Sequence, residues 1–150
     1  MDNTPRVRTV VFRGWTESYE MKIYTDKRSQ KYNELVSNNN VEICWLFSRS
    51  NCQFRFRGNS EICLGKDNIL CWEKLTEQSK SMWSWPSPGA TYNIDKKNVI
   101  SVKDKKQLSD NFSLLKINIT DVDHLHLTKP MHMRRKWMLK KDWIEERINP

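Results

Sequence analysis

Apolar and polar residues alternate with a period of two over several stretches of the chain, which is the signature of half-buried strands. Arg6 to Trp15 (RVRTVVFRGW) reads as a first strand ending at Gly14, and Met21 to Asp26 (MKIYTD) as a second, close enough to form a hairpin. Asp26 is placed to cap a short helix, KRSQKYNELVSN, with Tyr32, Leu35 and Val36 on one face. Val41 to Phe47 (VEICWLF) is apolar enough to predict a central strand. After a turn at Ser48 to Asn51, QFRFRGNSEICL alternates again, with Phe54 and Phe56 on one face and Gln53, Arg55 and Arg57 on the other. Gly58 marks a bulge or bend in this stretch.

The period then changes. Asp67 to Trp83 predicts one amphipathic helix packing through Ile69, Leu70, Trp72, Leu75 and Met82, stopped by Trp85-Pro-Ser-Pro-Gly. Ala90 to Asp110 is polar and without periodicity, so residues 86–111 read as a loop. Phe112 to Ile119 and Val122 to Leu127 read as two strands. Arg135 to Leu139 and Trp143 to Ile148 read as a last hairpin around Lys141-Asp142. No repeat or linker interrupts the order, and 150 residues predict a single domain, mainly β with a few helices.

Composition sharpens this picture. Only 37% of residues are hydrophobic and 29% are charged, while seven Trp, five Phe and four Tyr supply bulky burial. That balance suits an antiparallel sheet with one wet face, or a core completed by a partner subunit. The net charge of +8 asks for an anionic partner or reflects a basic solvated surface that keeps the protein soluble. The Lys and Arg are spread along the chain rather than gathered into a tail or patch, which argues against nucleic acid and leaves a phosphorylated small ligand. Cys44, Cys52, Cys63 and Cys71 form no Cys-x-x-Cys pair, so no zinc site is expected. No apolar run is long enough to span a membrane and no signal peptide opens the chain, which points to a cytoplasmic protein. His124 and His126 share a strand face, but no carboxylate or Cys completes a metal-binding set around them.

One region concentrates anion-binding chemistry. Arg8 and Arg13 lie on the first strand and Thr25 ends the second. Ser29, Gln30 and Lys31 open the helix, whose free N–H groups and positive dipole end suit a phosphate.

Five segments occur in the order and spacing of one family: RTVVFRGW, YTDKRSQKYNEL, QFRFRG, WPSPG and the closing RRKWMLKKDWIEERINP. From Arg6 to Pro150 the chain resembles the FMN-binding split barrels related to pyridoxamine 5'-phosphate oxidase, in particular the branch common in cyanobacteria that carries Arg-Ser-Gln-Lys and Trp-Pro-x-Pro-Gly. The resemblance implies a Greek-key antiparallel split barrel, homodimeric, with FMN at the subunit interface. It implies a flavin oxidoreductase acting on a small phosphorylated substrate of the vitamin B6 type, or else a module of the same fold that binds FMN or haem without turnover.

The resemblance also assigns roles to residues. Arg8 meets the flavin phosphate or ribityl chain, and Thr9 and Val10 contact it beneath the ring through their backbone. Arg13 stands where the main oxidases have a lysine near the ring. Tyr24 and Thr25 lie at the strand end beside the flavin. Ser29 and Lys31 form the phosphate-binding pair, with Gln30 in place of an arginine. Gln53 reaches FMN from the partner subunit, and Arg135 or Lys136 stands near the C-terminal arginine of the pocket. None of these residues is assigned as a catalytic acid or base. Leu125 stands where the main oxidases have a tryptophan against the flavin, and the basic substrate-phosphate residues have no match in Asp95 to Asp110. The family's N-terminal helix and first strand have no counterpart in Met1 to Pro5, so either the start is assigned late or an uncovered barrel edge is expected.

Overall fold

The computed structural model describes residues 4–92 and 107–150. The chain runs β1 (Phe12–Trp15), β2 (Met21–Asp26), α1 (Gln30–Ser37), β3 (Asn40–Phe47), β4 (Cys52–Cys63), α2 (Lys66–Glu73), α3 (Glu77–Ser81), β5 (Phe112–His126), β6 (Met133–Met138) and β7 (Glu146–Ile148). All strand pairs are antiparallel, in the order β1-β2-β5-β4-β3, with β6 and then β7 branching from β5.

The sheet is organised around β5. Along one side β5 pairs with β4 over nearly its whole length. Along the other, Phe112 to Ile117 pair with β2, whereas Asp121 to His126 pair with β6. The two predicted strands are therefore one strand that changes partner around Asn118 to Thr120. The change coincides with a bulge between Arg57 and Gly58 of β4, which bends the pair. Curvature brings the ends of the strand order together: the rings of Phe12 on β1 and Trp45 on β3 lie 4.9 Å apart. This is a split barrel, as expected.

Inside it, Met21, Ile23, Leu115 and Ile117 form a fully buried cluster, packed by Val10, Phe12, Leu35, Ile43, Trp45 and Phe56. Each such side chain contributes about 1.5–3 kcal/mol of burial. The outer face of β5 beside β2 is covered by α2 and the turn after α3, where Trp72 and Trp83 pack edge-on against Phe112 at 5.4 and 4.9 Å.

Several predicted elements are corrected. The first strand spans only Phe12 to Trp15; residues 4–11 make no strand pairs, and Val7 is fully exposed. Helix α1 starts at Gln30, capped by Ser29, whose Oγ accepts from the Tyr32 N–H at 3.3 Å. Asp26 instead holds Arg28 in the preceding turn at 2.7 Å. Strand β3 lies at the edge of the sheet rather than its centre, with Cys44, Leu46 and Phe47 exposed. The predicted helix 67–83 breaks in two. Thr76 accepts from the Ser79 N–H at 3.2 Å and starts α3, and a single 3₁₀ turn, Met82–Ser84, follows. Its packing residue is Trp72; Ile69, Leu70 and Met82 are exposed. The last hairpin is shifted, with β6 starting at Met133 and β7 reduced to Glu146–Ile148. Of the predicted loop 86–111, residues 93–106 lie outside the described residues.

Helix α2 docks through buried Asn68, whose Oδ1 accepts from the Leu114 N–H at 2.7 Å. Asn68→Ala leaves that buried donor unmet, so a loss of about 2 kcal/mol is expected in urea unfolding. A wild-type midpoint in that variant would show that the bond is not what fastens the helix.

Candidate cofactor site

Strand β2 sorts the predicted residues by parity. Met21, Ile23 and Thr25 face the barrel interior, and Tyr24 faces the other way. At the interior end of the strand, buried Thr25 is the hub of a small polar cluster. The Lys31 ammonium donates to its Oγ1 at 2.6 Å, and Ser29 Oγ lies 3.5 Å from the same atom. The cap at Ser29 places its hydroxyl here, and Lys31 follows in the first turn of α1.

Lys31 is half-buried. Burial first, and then the positive charge of Arg8, hold its ammonium below the ordinary lysine range, with Asp26 partly offsetting them. Among the described residues no carboxylate pairs with it; Asp26 is held by Arg28 and Glu34 by Arg8 at 2.5 Å. The hydrogen bond from Arg8 pulls the Glu34 carboxyl below the ordinary range. Ser113, directly opposite Thr25 in the register and fully buried, has a hydroxyl with no partner among the described residues. Sequence reasoning missed Ser113; its only signal was a lone hydroxyl within the apolar run FSLLKINI. A half-buried ammonium with no carboxylate paired to it among the described residues, beside Arg8, two hydroxyls and a helix start, has the donor chemistry that suits an anion. These residues fit a phosphate group.

The remaining predicted residues divide. Val10 packs on the barrel core, Thr9 and Gln30 are exposed, and none of the three touches the hub. Arg13 and Tyr24 meet on the opposite face of the hairpin, the guanidinium 5.2 Å from the ring centre. Burial, then a hydrogen bond with Cys71, push the Tyr24 hydroxyl up to about 12. Gln53 is remote from both groups. Thr25 pairs with Ser113 and Gln53 pairs with Leu125, twelve residues further along β5 (113 to 125) and roughly 40 Å of extended strand.

Register also separates Gln53 from Arg135. Leu46, Gln53, Leu125 and Arg134 form one cross-strand row, and Trp45, Phe54, His124 and Arg135 form the next, on the other face. Arg134 and Lys136 therefore share Gln53's face, while Arg135 lies against Met133 and Glu145. Asp123, on Gln53's face, is bound by Arg134 at 2.8 Å and Arg55 at 3.3 Å. Burial pushes its carboxyl up, but these two arginines outweigh that and hold it below the ordinary range. His124 stacks on Phe54 at 4.4 Å; burial first, then His126 and Arg135, lower its pKa. Among the described residues no group of His, Cys, Asp and Glu is arranged to hold a metal, and no helix is long and apolar enough to cross a membrane.

A family model for the FMN-binding domain of pyridoxamine 5'-phosphate oxidase matches residues 1–64, which contain every predicted cofactor residue except Arg135. The whole chain is 27% identical, over 164 aligned positions, to 83% of pyridoxine/pyridoxamine 5'-phosphate oxidase 2 of Arabidopsis thaliana. The crystal structure of a pyridoxamine 5'-phosphate oxidase-related, FMN-binding protein from Nostoc punctiforme superimposes with a TM-score of 0.84 at 29% identity, covering 95% of this chain and 80% of that one. In sequence over its first 64 residues and in fold over nearly its whole length, the chain is similar to the pyridoxamine 5'-phosphate oxidase-like, FMN-binding proteins. The matched model is an FMN-binding domain and the Nostoc punctiforme protein is FMN-binding, which together give FMN as the cofactor. The fold extends to more distant proteins: PhzG of Burkholderia lata, solved with tetrahydrophenazine-1-carboxylic acid, gives a TM-score of 0.79 at 14% identity over 95% of this chain and 74% of that one.

Proposed function

We propose that the chain is a flavin-dependent oxidoreductase acting on pyridoxine or pyridoxamine 5'-phosphate, and that two copies complete each FMN site. The observation that carries the binding half is the half-buried Lys31 ammonium, paired with no carboxylate among the described residues, in the Thr25, Ser29 and Arg8 cluster. In this reading those residues hold the FMN phosphate, and Arg13 and Tyr24 line the approach to the ring. Bound FMN supplies two-electron redox chemistry. The protein's share is to grip the phosphate, orient the ring and exclude water from one side.

Two features support a site shared between copies. The cradle and Gln53 are too far apart along β5 to meet in one protomer without a second chain. Edge strand β3 leaves Leu46 63% and Phe47 38% exposed beside Gln53, apolar area that a partner would cover. Gln53 of a second copy would then reach the flavin, with Leu125 and either Arg134 or Lys136 on the same face. The activity half rests on the Arabidopsis thaliana relative. Leu125, where the resembling oxidases have tryptophan, favours the second reading, an FMN carrier without turnover.

Oxygen-dependent formation of pyridoxal 5'-phosphate by the purified, FMN-loaded protein separates the two readings. Shared sites are tested by mixing subunits. Lys31→Ala and Gln53→Ala each impair FMN binding in homodimers, whereas co-expressed mixed dimers regain one intact site, about half the wild-type flavin per dimer. Mixed dimers as poor as their parents would show that each chain builds its own site.

A further inference from the structure

A second pocket, of about 260 Å³, opens four residues along β2 from Thr25, where Trp15 pairs with Met21. Its walls include Trp15 and Tyr19 from the β1–β2 hairpin, Trp143 from the β6–β7 turn, and Phe56 and Val122 from the sheet. Its charge is unusual for this protein. In a chain of net charge +8, no Lys or Arg lines it, and the one charged lining residue is Glu20. The Glu20 carboxylate accepts from the Thr16 hydroxyl at 3.0 Å and has no ion-pair partner among the described residues.

Two of the aromatic walls are held in a conformation that side chains ordinarily avoid. Tyr19 has φ +62° and Trp143 φ +59°, in tight turns where glycine or asparagine is usual. Two separate hairpins thus carry a bulky aromatic at the position least suited to one, and both residues line the same pocket. Turn formation alone does not call for this, since glycine would serve both turns better.

We propose that this pocket binds a small organic cation, an alkylammonium, held over the faces of Trp15, Tyr19 and Trp143 and neutralised by Glu20. Aromatic faces attract cations through the ring quadrupole. The absence of lysine and arginine turns away the phosphorylated anions that the Lys31 cradle attracts. The volume lies below the ~300–1,000 Å³ of pockets for drug-sized ligands, which restricts the occupant to a compact ammonium.

The test is calorimetric titration of the FMN-loaded protein with choline, against 3,3-dimethylbutan-1-ol, its neutral isostere, at matched ionic strength. Choline is expected to bind about tenfold more tightly than the alcohol. Glu20→Gln should bring choline towards the alcohol's affinity. Tyr19→Gly should weaken choline by about fivefold without lowering the thermal midpoint, since glycine suits that backbone. Equal affinities for choline and the alcohol, no binding of choline, or a choline affinity unchanged by either substitution would each overturn the proposal.

Discussion

Replacing Lys31 with methionine is expected to weaken FMN binding by about 10- to 100-fold while changing the stability of the flavin-free protein little, since relief of the buried charge offsets the lost hydrogen bond to Thr25. The affinity loss follows from removing one charge-assisted hydrogen bond to a phosphate, worth about 1.5–3 kcal/mol. The stability half follows from the sign of the Lys31 shift. Burial and Arg8 lower its pKa in the folded protein, so the charged form is less favourable there than in the unfolded chain. That penalty is present at neutral pH and fades only as pH rises through the lowered folded pKa toward the ordinary value of about 10.4. Methionine keeps most of the stem's packing and removes the penalty. Bound phosphate relieves the same penalty in the wild type, so FMN affinity should fall as pH rises through the Lys31 titration, and this dependence should vanish in the variant. Fluorescence titration of FMN at several pH values, with urea unfolding of the flavin-free protein, reads both halves. A variant that binds FMN like the wild type removes Lys31 from the cradle.

The largest expected stability effect lies elsewhere, at Gly58. A Cβ built there sits 1.9 Å from the Asn118 carbonyl oxygen and 2.8 Å from its carbon. Both are backbone atoms of the central strand, so no rotamer change makes room. The contact falls at the β4 bulge, where β5 exchanges β2 for β6, so relief requires parting the two strands that hold the barrel together. Gly58→Ala should cost at least about 3 kcal/mol. For a chain of this length that lowers the thermal midpoint by roughly 10 °C. Gly89→Ala is the control. Gly89 has φ +81° with nothing within 4 Å of a built Cβ, so its substitution carries only the backbone cost of about 1 kcal/mol. Similar midpoints for the two variants would mean that the close approach is not what fixes the bend.

The parts of the site that were legible in the sequence are local ones. Ser29 and Lys31 stand two residues apart at a helix start, so their convergence on Thr25 needs only a cap and one turn of helix. Alternation along QFRFRG likewise places Phe54 and Phe56 together and Gln53 on the other face, and Gly58, lacking a side chain, marks a bulge or bend there. Arg135 was harder. A one-residue difference in register moves a side chain through the sheet, and nothing within RRKW says which arginine faces Gln53.

The sequence by itself determined the element types, the antiparallel character, the family likeness and the nearness of Ser29 and Lys31 at a helix start. All of these depend on the spacing of residues a few positions apart. The tertiary structure alone decided what depends on distant pairing. It put apolar β3 at an edge rather than the centre, because a strand's burial depends on what lies beside it and not on its own hydrophobicity. It merged two predicted strands into β5, because a strand can change partner without a break in its own chain. It brought Ser113 opposite Thr25 across 88 residues of sequence (25 to 113), and it set Gln53 far along β5 from Thr25 within one chain. Local spacing specifies a motif; only the register of the sheet says which motifs face one another.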